Sequence, residues 1–455
     1  MRLRHRLFII AVMMYAINAW AQDGATTTPQ DSAVAATPQE TPLDSTQTLT
    51  PKLTELFTKL RTDSNNAALL YDIYKEYLKI GRRNYAVEFI NASLRKDPTN
   101  MDVLYEKGEL LLEMGKKKSA YEAFLLVMRD FKGQAYLDRI GPKFVSNFKI
   151  TQITNNKFND VMASYAPDGK SIIFQSDRSG NWDIFTMNPD QGESSVKKLT
   201  DDLEADENPA YSTDGKWIAF ASTRDDKSTK EYKSRELYFM DKTGKRVTRL
   251  TSSYGGDNWS PIFLDTVTIA FSSDRSDFSS TPFAKKNTGI YTIERNGSFL
   301  FKMFYQDKMN YTDVAYKAVS NQFVFAQRAD DSDFDLYMTS TDTKEKPVNL
   351  TNHPKNDLQP SVSKNGNFIA FVSDRDGNYE VYRMQADGRD QTRITNDDGD
   401  DVYPKFSPDG NKIIFSSNRN GKYQLYIAST EESSAVTVQS VIAILEKRIA
   451  SSSDN

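Results

Sequence analysis

An arginine closes a phrase that returns along this chain: YAPDGKSIIFQSDR (165–178), YSTDGKWIAFASTR (211–224), SVSKNGNFIAFVSDR (361–375) and FSPDGNKIIFSSNR (406–419). With its weaker copies the phrase places arginine at 178, 224, 275, 328, 375 and 419. Eighteen residues before five of these stands an aspartate: Asp160 with Arg178, Asp206 with Arg224, Asp257 with Arg275, Asp357 with Arg375, Asp401 with Arg419. In a hairpin centred on Gly169, positions 160 and 178 are equidistant from the turn and are expected to face each other, and the same count serves the other pairs. Such pairs do one of two jobs. They clamp the fold as charge-assisted hydrogen bonds, or their carboxylates ring an opening that takes Ca²⁺ or a basic peptide.

A second constellation is Asp397-Asp398-Gly399-Asp400-Asp401, four carboxylates in five residues. A hard cation such as Ca²⁺ suits this oxygen density, although the spacing is not that of an EF-hand; a solvated loop is the alternative. Other chemistry is poorly provided for. Cysteine is absent, and the two histidines are His5 and His353, the latter in a turn-like NHPKN. The usual zinc, copper and thiol sites are therefore excluded. No GxSxG follows residue 430 to complete a serine hydrolase. The expectation is a protein that is not an enzyme and has no cofactor beyond that Ca²⁺ option.

The elements that carry the pairs can be read from the same repeats. Asp168-Gly169, Asp214-Gly215, Asn365-Gly366 and Asp409-Gly410 supply the positive φ of tight turns. A third strand follows each phrase (DIFTM, ELYFM, GIYTI, DLYM, EVYRM, QLYIA), and a fourth ends in KKLT, TRLT, VNLT or TRIT, with FLFKMFYQ in the third unit. Six units of roughly 40–50 residues predict an all-β propeller of six four-stranded blades over 149–430. The sixth unit lacks its last strand, and KITQIT at 149–154 stands ahead of the first. The N-terminal strand is expected to complete the last blade and cover its open edge.

These SPDG and SDR phrases resemble the TolB-type propeller of bacterial envelopes, the fourth unit least because it lacks the DG turn and reads Ala326-Gln327-Arg328. The resemblance implies a scaffold that binds other proteins. TolB proteins place a mixed α/β domain before the propeller; here residues 51–140 have helical periodicity instead. Leu70 and Leu104, Tyr71 and Tyr105, Gly81 and Gly115, and Ala86 and Ala120 all stand at one and the same interval. That interval is the tetratricopeptide period. The module resembles a pair of tetratricopeptide repeats, departing at Tyr74, where a small residue is usual.

Residues 1–21, with Arg2, Arg4 and Arg6 before an apolar run and Ala19-Trp20-Ala21 after it, read as a cleaved secretory signal. The expected location is periplasmic or otherwise exported, without a lipid-bearing cysteine. Residues 22–50, rich in Thr, Pro and Ser, read as a disordered tail, and 433–450 as an amphipathic helix with Val438, Val441, Ile442, Leu445 and Ile449 on one face. The formal net charge is −4 and falls further once the leader's three arginines are lost, so nucleic acid is not an expected partner.

The blades differ most between their second and third strands. Blade two inserts DDKSTKEYKSR (225–235) and blade three SDFSSTPFAKKNTG (276–289), expected on the face that carries the Asp and Arg pairs. Tyr232, Phe278 and Phe283 offer aromatic anchors beside Lys227, Lys230, Lys233, Lys285 and Lys286. The leading expectation is an exported scaffold that holds protein partners of the cell envelope on this face and on the helical repeats. The alternative is a periplasmic ligand- or glycan-recognition module with a Ca²⁺-assisted acidic channel mouth.

Overall fold

The computed structural model describes residues 49–227, 233–252, 256–275, 287–329, 332–341, 345–432 and 435–454. The expected leader, nearly all of the expected tail, and the anchors Lys230, Tyr232, Phe278, Phe283, Lys285 and Lys286 lie outside the described residues. The chain divides into two compact units, one helical and one β.

The helical unit begins with α1 (Pro51–Thr62), α2 (Ala67–Lys79), α3 (Arg83–Lys96), α4 (Met101–Glu113) and α5 (Lys117–Arg129). Its repeat period is written into the helix ends. Asn66 and Asn100 cap α2 and α4, accepting from the backbone N–H groups of Leu69 and Val103. After each of these helices a glycine takes positive φ, Gly81 at 72° and Gly115 at 75°. The next N–H then returns to the carbonyl five residues earlier, Arg82 to Tyr77 and Lys116 to Leu111. Ala86 and Ala120 are fully buried. A Cβ on Gly108 would stand 2.6 Å from the Phe124 ring, so only glycine lets α4 and α5 approach this closely. Tyr74, one period ahead of Gly108, is instead buried beside Tyr71 at a ring separation of 5.5 Å. The C-terminal helix Val438–Ser451 sends Glu446 to Arg129, and beyond it Asp454 accepts from the Ser119 N–H.

The β unit is a ring of six four-stranded antiparallel sheets. Phe148–Gln152 pairs with Gln424–Glu432, Thr151 opposite Ile427 and Gln152 opposite Tyr426, so the strand ahead of blade one completes blade six. Each blade's first strand touches that of the next, and Asp401–Phe406 touches Asp160–Tyr165, which closes the ring. Phenylalanines 174, 220, 271, 325, 371 and 415, one at the same place in every second strand, are fully buried. Opposite them stand Phe185, Tyr238, Tyr291, Tyr337, Tyr382 and Tyr426. Every first strand carries a bulge. At each bulge a non-glycine residue takes positive φ: Met162, Asn208, Ser260, Asp313, Gln359 and Tyr403.

Candidate functional site

The bulge changes how Asp and Arg meet. Asp160 lies opposite Ser176, not Arg178. Arg178 turns back over the strand end, with Nη2 2.7 Å and 2.8 Å from the two Asp160 oxygens and Nε 3.0 Å from Ser176 Oγ. Its guanidinium covers the Phe174 ring at 5.5 Å and the Phe185 ring at 5.2 Å, close enough for the ring faces to attract the cation. Arg224 on Asp206, Arg375 on Asp357 and Arg419 on Asp401 repeat the arrangement at 2.7 to 2.9 Å. All four aspartates are fully buried. Burial pushes the Asp206, Asp357 and Asp401 carboxyls above their ordinary range, and the arginine beside each pulls back. These carboxylates are spent as clamps.

One expected pairing, Asp257 with Arg275, needs correction, and blade four departs from the pattern altogether. In blade three the residue opposite Ser273 is Asn258, and Arg275 Nη2 donates to Asn258 Oδ1 at 2.5 Å. The hairpin connection between Phe263 and Ile269 is one residue shorter than that between Tyr165 and Ile172, so counting back eighteen lands one residue early. Asp257 binds Arg235 instead, at 2.5 Å. In blade four Phe325 lies opposite Tyr337, which puts Gln327 in the place of Ser176, Arg328 in that of Asp177 and Ala329 in that of the repeat arginine. Tyr311 lies opposite Gln327, where the clamp would need its aspartate. The positions that form the clamp elsewhere cannot form it in blade four.

The first strands are also tied to one another at the channel. A backbone N–H at or near the start of each one donates to the carbonyl of the residue just before the previous blade's third strand: Asp206 to Trp182, Asn258 to Arg235, Tyr311 to Thr288, Asp357 to Phe334, Asp401 to Tyr379 and Asp160 to Tyr423. Ser260 N donates to Asn208 Oδ1 at 3.2 Å and Tyr403 N to Gln359 Oε1 at 2.7 Å, so bulge residues lock neighbouring blades. Arg235 is only 5% exposed, with Nε 3.0 Å from Asp257 Oδ1 and Nη1 3.5 Å from Glu207 Oε2. Burial pushes the Glu207 carboxyl up; Arg235 opposes this and Asp257 adds to it. Burial likewise raises Asp313 and lowers Lys405, each restrained by the other's charge. Acids and bases of the channel wall thus compensate one another.

The 397–401 run does not converge on one point. Asp401 and Asp397 face Arg419 at 2.9 Å and 3.7 Å, and Asp400 accepts from the Tyr379 N–H at 3.1 Å. Asn378 Nδ2 holds the carbonyls of Asp397 and Gly399. Asp398 is half-buried on the same loop. Among the described residues no group of three His, Cys, Asp or Glu side chains is arranged to hold a metal ion. The blade-two connection leaves its strand beside the Asp206–Arg224 clamp; of its lysines, Lys227 donates to the Arg224 carbonyl and Lys233 pairs with Glu204. His353 lines a pocket of blade four. Sequence reasoning missed Arg235, Glu207 and the bulge residues. Four bulge residues precede a proline (Asn208-Pro209, Ser260-Pro261, Gln359-Pro360, Tyr403-Pro404), a recurring signal that could have marked them.

Residues 335–446 match the family described as TolB beta propeller domain. The chain is 27% identical over 223 residues to the Tol-Pal system protein TolB of Francisella tularensis subsp. mediasiatica, covering 49% of this chain and 47% of that protein. It is 33% identical over 97 residues to an uncharacterised protein of Agrobacterium fabrum, covering 21% of this chain and 30% of that one. The chain thus spans less than half the length of these curated relatives. Among solved structures, TolB from Acinetobacter baumannii is 19% identical with a TM-score of 0.45, covering 56% of this chain and 59% of its own. An oligogalacturonate lyase in complex with manganese is 14% identical with a TM-score of 0.44, covering 63% and 94%.

Proposed function

We propose that the chain is a non-enzymatic protein-interaction module of the bacterial cell envelope that binds partner proteins on the clamp face of its TolB-like propeller. The observation that carries this reading is the contrast between a rigid rim and long connections. Buried Asp–Arg clamps fix four of the six blades at this face, while the connections of blades two and three are the long ones, from Ser222 to Glu236 and from Ser273 to Gly289. Rigid scaffolds with variable loops are what specific binding uses. The Tol-Pal name of the curated relatives supports an envelope setting. Among the described residues no helix is long and apolar enough to cross a membrane. The test is photo-crosslinking in envelope preparations from two positions on opposite faces. A crosslinker at Lys233, on the clamp face, is expected to trap a defined partner band that one at Lys170, in a DG turn, does not. Equal bands at both positions, or a band from Lys170 alone, would overturn the reading.

A further inference from the structure

Five blades lay an arginine over an aromatic pair, and the fourth does not. Arg178, Arg224, Arg275, Arg375 and Arg419 each sit over two rings of their own blade, within 4.4 to 5.9 Å of the centroids. Under that cover Phe185, Tyr238, Tyr291, Tyr382 and Tyr426 are 3 to 5% exposed. In blade four the arginine's place is taken by Ala329, and Tyr337 is only half-buried. A pocket of about 320 Å³ opens there, lined by Gln327, Ala329, Asp333, Asp335, Tyr337 and His353, among others. Gln327 stands where the other blades have the serine whose hydroxyl accepts from the arginine Nε, and its own Oε1 is buried with no hydrogen-bond partner. Nδ1 of His353 is in the same condition. Arg328 also lines the pocket, but its guanidinium lies over Phe334 at 4.5 Å. Against that one positive charge the lining sets two carboxylates, Asp333 and Asp335.

We propose that this pocket is a seat for a guanidinium group: an arginine side chain of a bound protein takes the place that the blade's own arginine holds elsewhere in the ring. Its plane would lie on the Tyr337 ring, as Arg178 lies on Phe185, and its Nε–H would donate to Gln327 Oε1. The two carboxylates would balance the added charge. A guanidinium fits these features better than an ammonium, because the geometry repeated in five other blades is that of a planar fork with a donor at Nε. The inference rests on the protein-binding reading only for the source of the arginine.

The test is calorimetric titration of the full chain with Nα-acetyl-arginine N-methylamide, beside the matching lysine and citrulline amides, free arginine and agmatine. Saturable binding of the arginine amide is expected, at least tenfold tighter than that of the lysine or citrulline amide. Ala329→Arg, which installs the residue that other blades accommodate, is expected to weaken binding at least tenfold while the fold, followed by circular dichroism, is kept. Tyr337→Leu and Gln327→Leu should each weaken it several-fold. No saturable binding to the wild type, or unchanged binding to Ala329→Arg, would overturn the seat. Agmatine or free arginine binding tenfold tighter than the capped amide would overturn the assignment to a protein side chain. Because these probes need no partner, the titration stands apart from the crosslinking test: either can fail alone.

Discussion

Arg224 and Arg275 hold the same place in successive blades, but one faces a carboxylate and the other an amide. Asp206 is fully buried, so removing Arg224 leaves an uncompensated charge. That loss costs about 3 kcal/mol or more. Removing Arg275 takes a donor only from a neutral amide oxygen, that of Asn258, which costs about 1 kcal/mol. The stacking on the aromatic pair is lost equally in both. Denaturant unfolding followed by tryptophan fluorescence should therefore rank Arg224→Met well below Arg275→Met; equal losses would mean that the carboxylate contributes nothing as a charge. The phrase-closing arginines were legible in the sequence because their residue type and approximate spacing repeat. The partner in blade three was not, since one residue lost from a hairpin connection moves Asn258 to where a fixed count predicts Asp257. Nor was the empty place in blade four: Arg328 satisfies the sequence pattern by type while standing one residue out of register, and a shift of one turns a side chain to the opposite face of a strand.

At the scale of elements, the closing strand and the helix pair each rest on one contact that substitution can reach. Ile153 N donates to the Leu425 carbonyl at 2.8 Å, just past the last paired residue of the strand that seals blade six. Ile153→Pro removes that donor and is expected to cost about 1 kcal/mol, with faster hydrogen exchange in the 424–428 amides; unchanged exchange there would mean that the seal does not depend on this bond. In the helical unit, Gly108→Ala puts a methyl group into the Phe124 ring. Overpacking of this kind is expected to cost about 2 kcal/mol. Phe124→Leu in the same chain should recover part of that loss, so a double mutant no more stable than Gly108→Ala argues against steric conflict. Repetition made these elements readable, since strand type, blade number and ring closure follow from phrases that return in phase. The bulges were harder to read, because positive φ is met there by Met162, Asn208, Ser260, Asp313, Gln359 and Tyr403 rather than by glycine, which usually advertises it; only the proline that follows four of them marks the place.

Over the whole molecule, the buried acids of the propeller set its response to pH. Burial raises the carboxyls of Asp206, Glu207, Asp313, Asp357 and Asp401, and it pushes Glu380 up to about 8 against the pull of Arg393, with the charge of Asp401 adding to the rise. A group raised on folding binds its proton more tightly in the folded chain than in the unfolded one. Its contribution to stability is complete below the unfolded carboxyl range and is lost as pH climbs through the folded value. For Glu380 that window runs from 4.5 to about 8. One proton sets a limiting slope of about 1.36 kcal/mol for each unit of pH. Turn acids such as Asp214, Asp241 and Asp409 are lowered, chiefly by hydrogen bonds from neighbouring Ser and Thr hydroxyls, so their contribution is lost only as pH falls below the ordinary carboxyl range. The two sets act in separate windows, and stability is expected to peak on the acidic side of neutrality and decline as the medium turns alkaline. Glu380→Gln keeps the acceptor for Thr395 but has no proton to lose, so a series of unfolding midpoints from mildly acidic to mildly alkaline pH should fall less steeply for this variant than for the wild type. Parallel lines for the two chains would mean that Arg393 keeps Glu380 ionised throughout, and that the decline belongs to the other buried carboxyls.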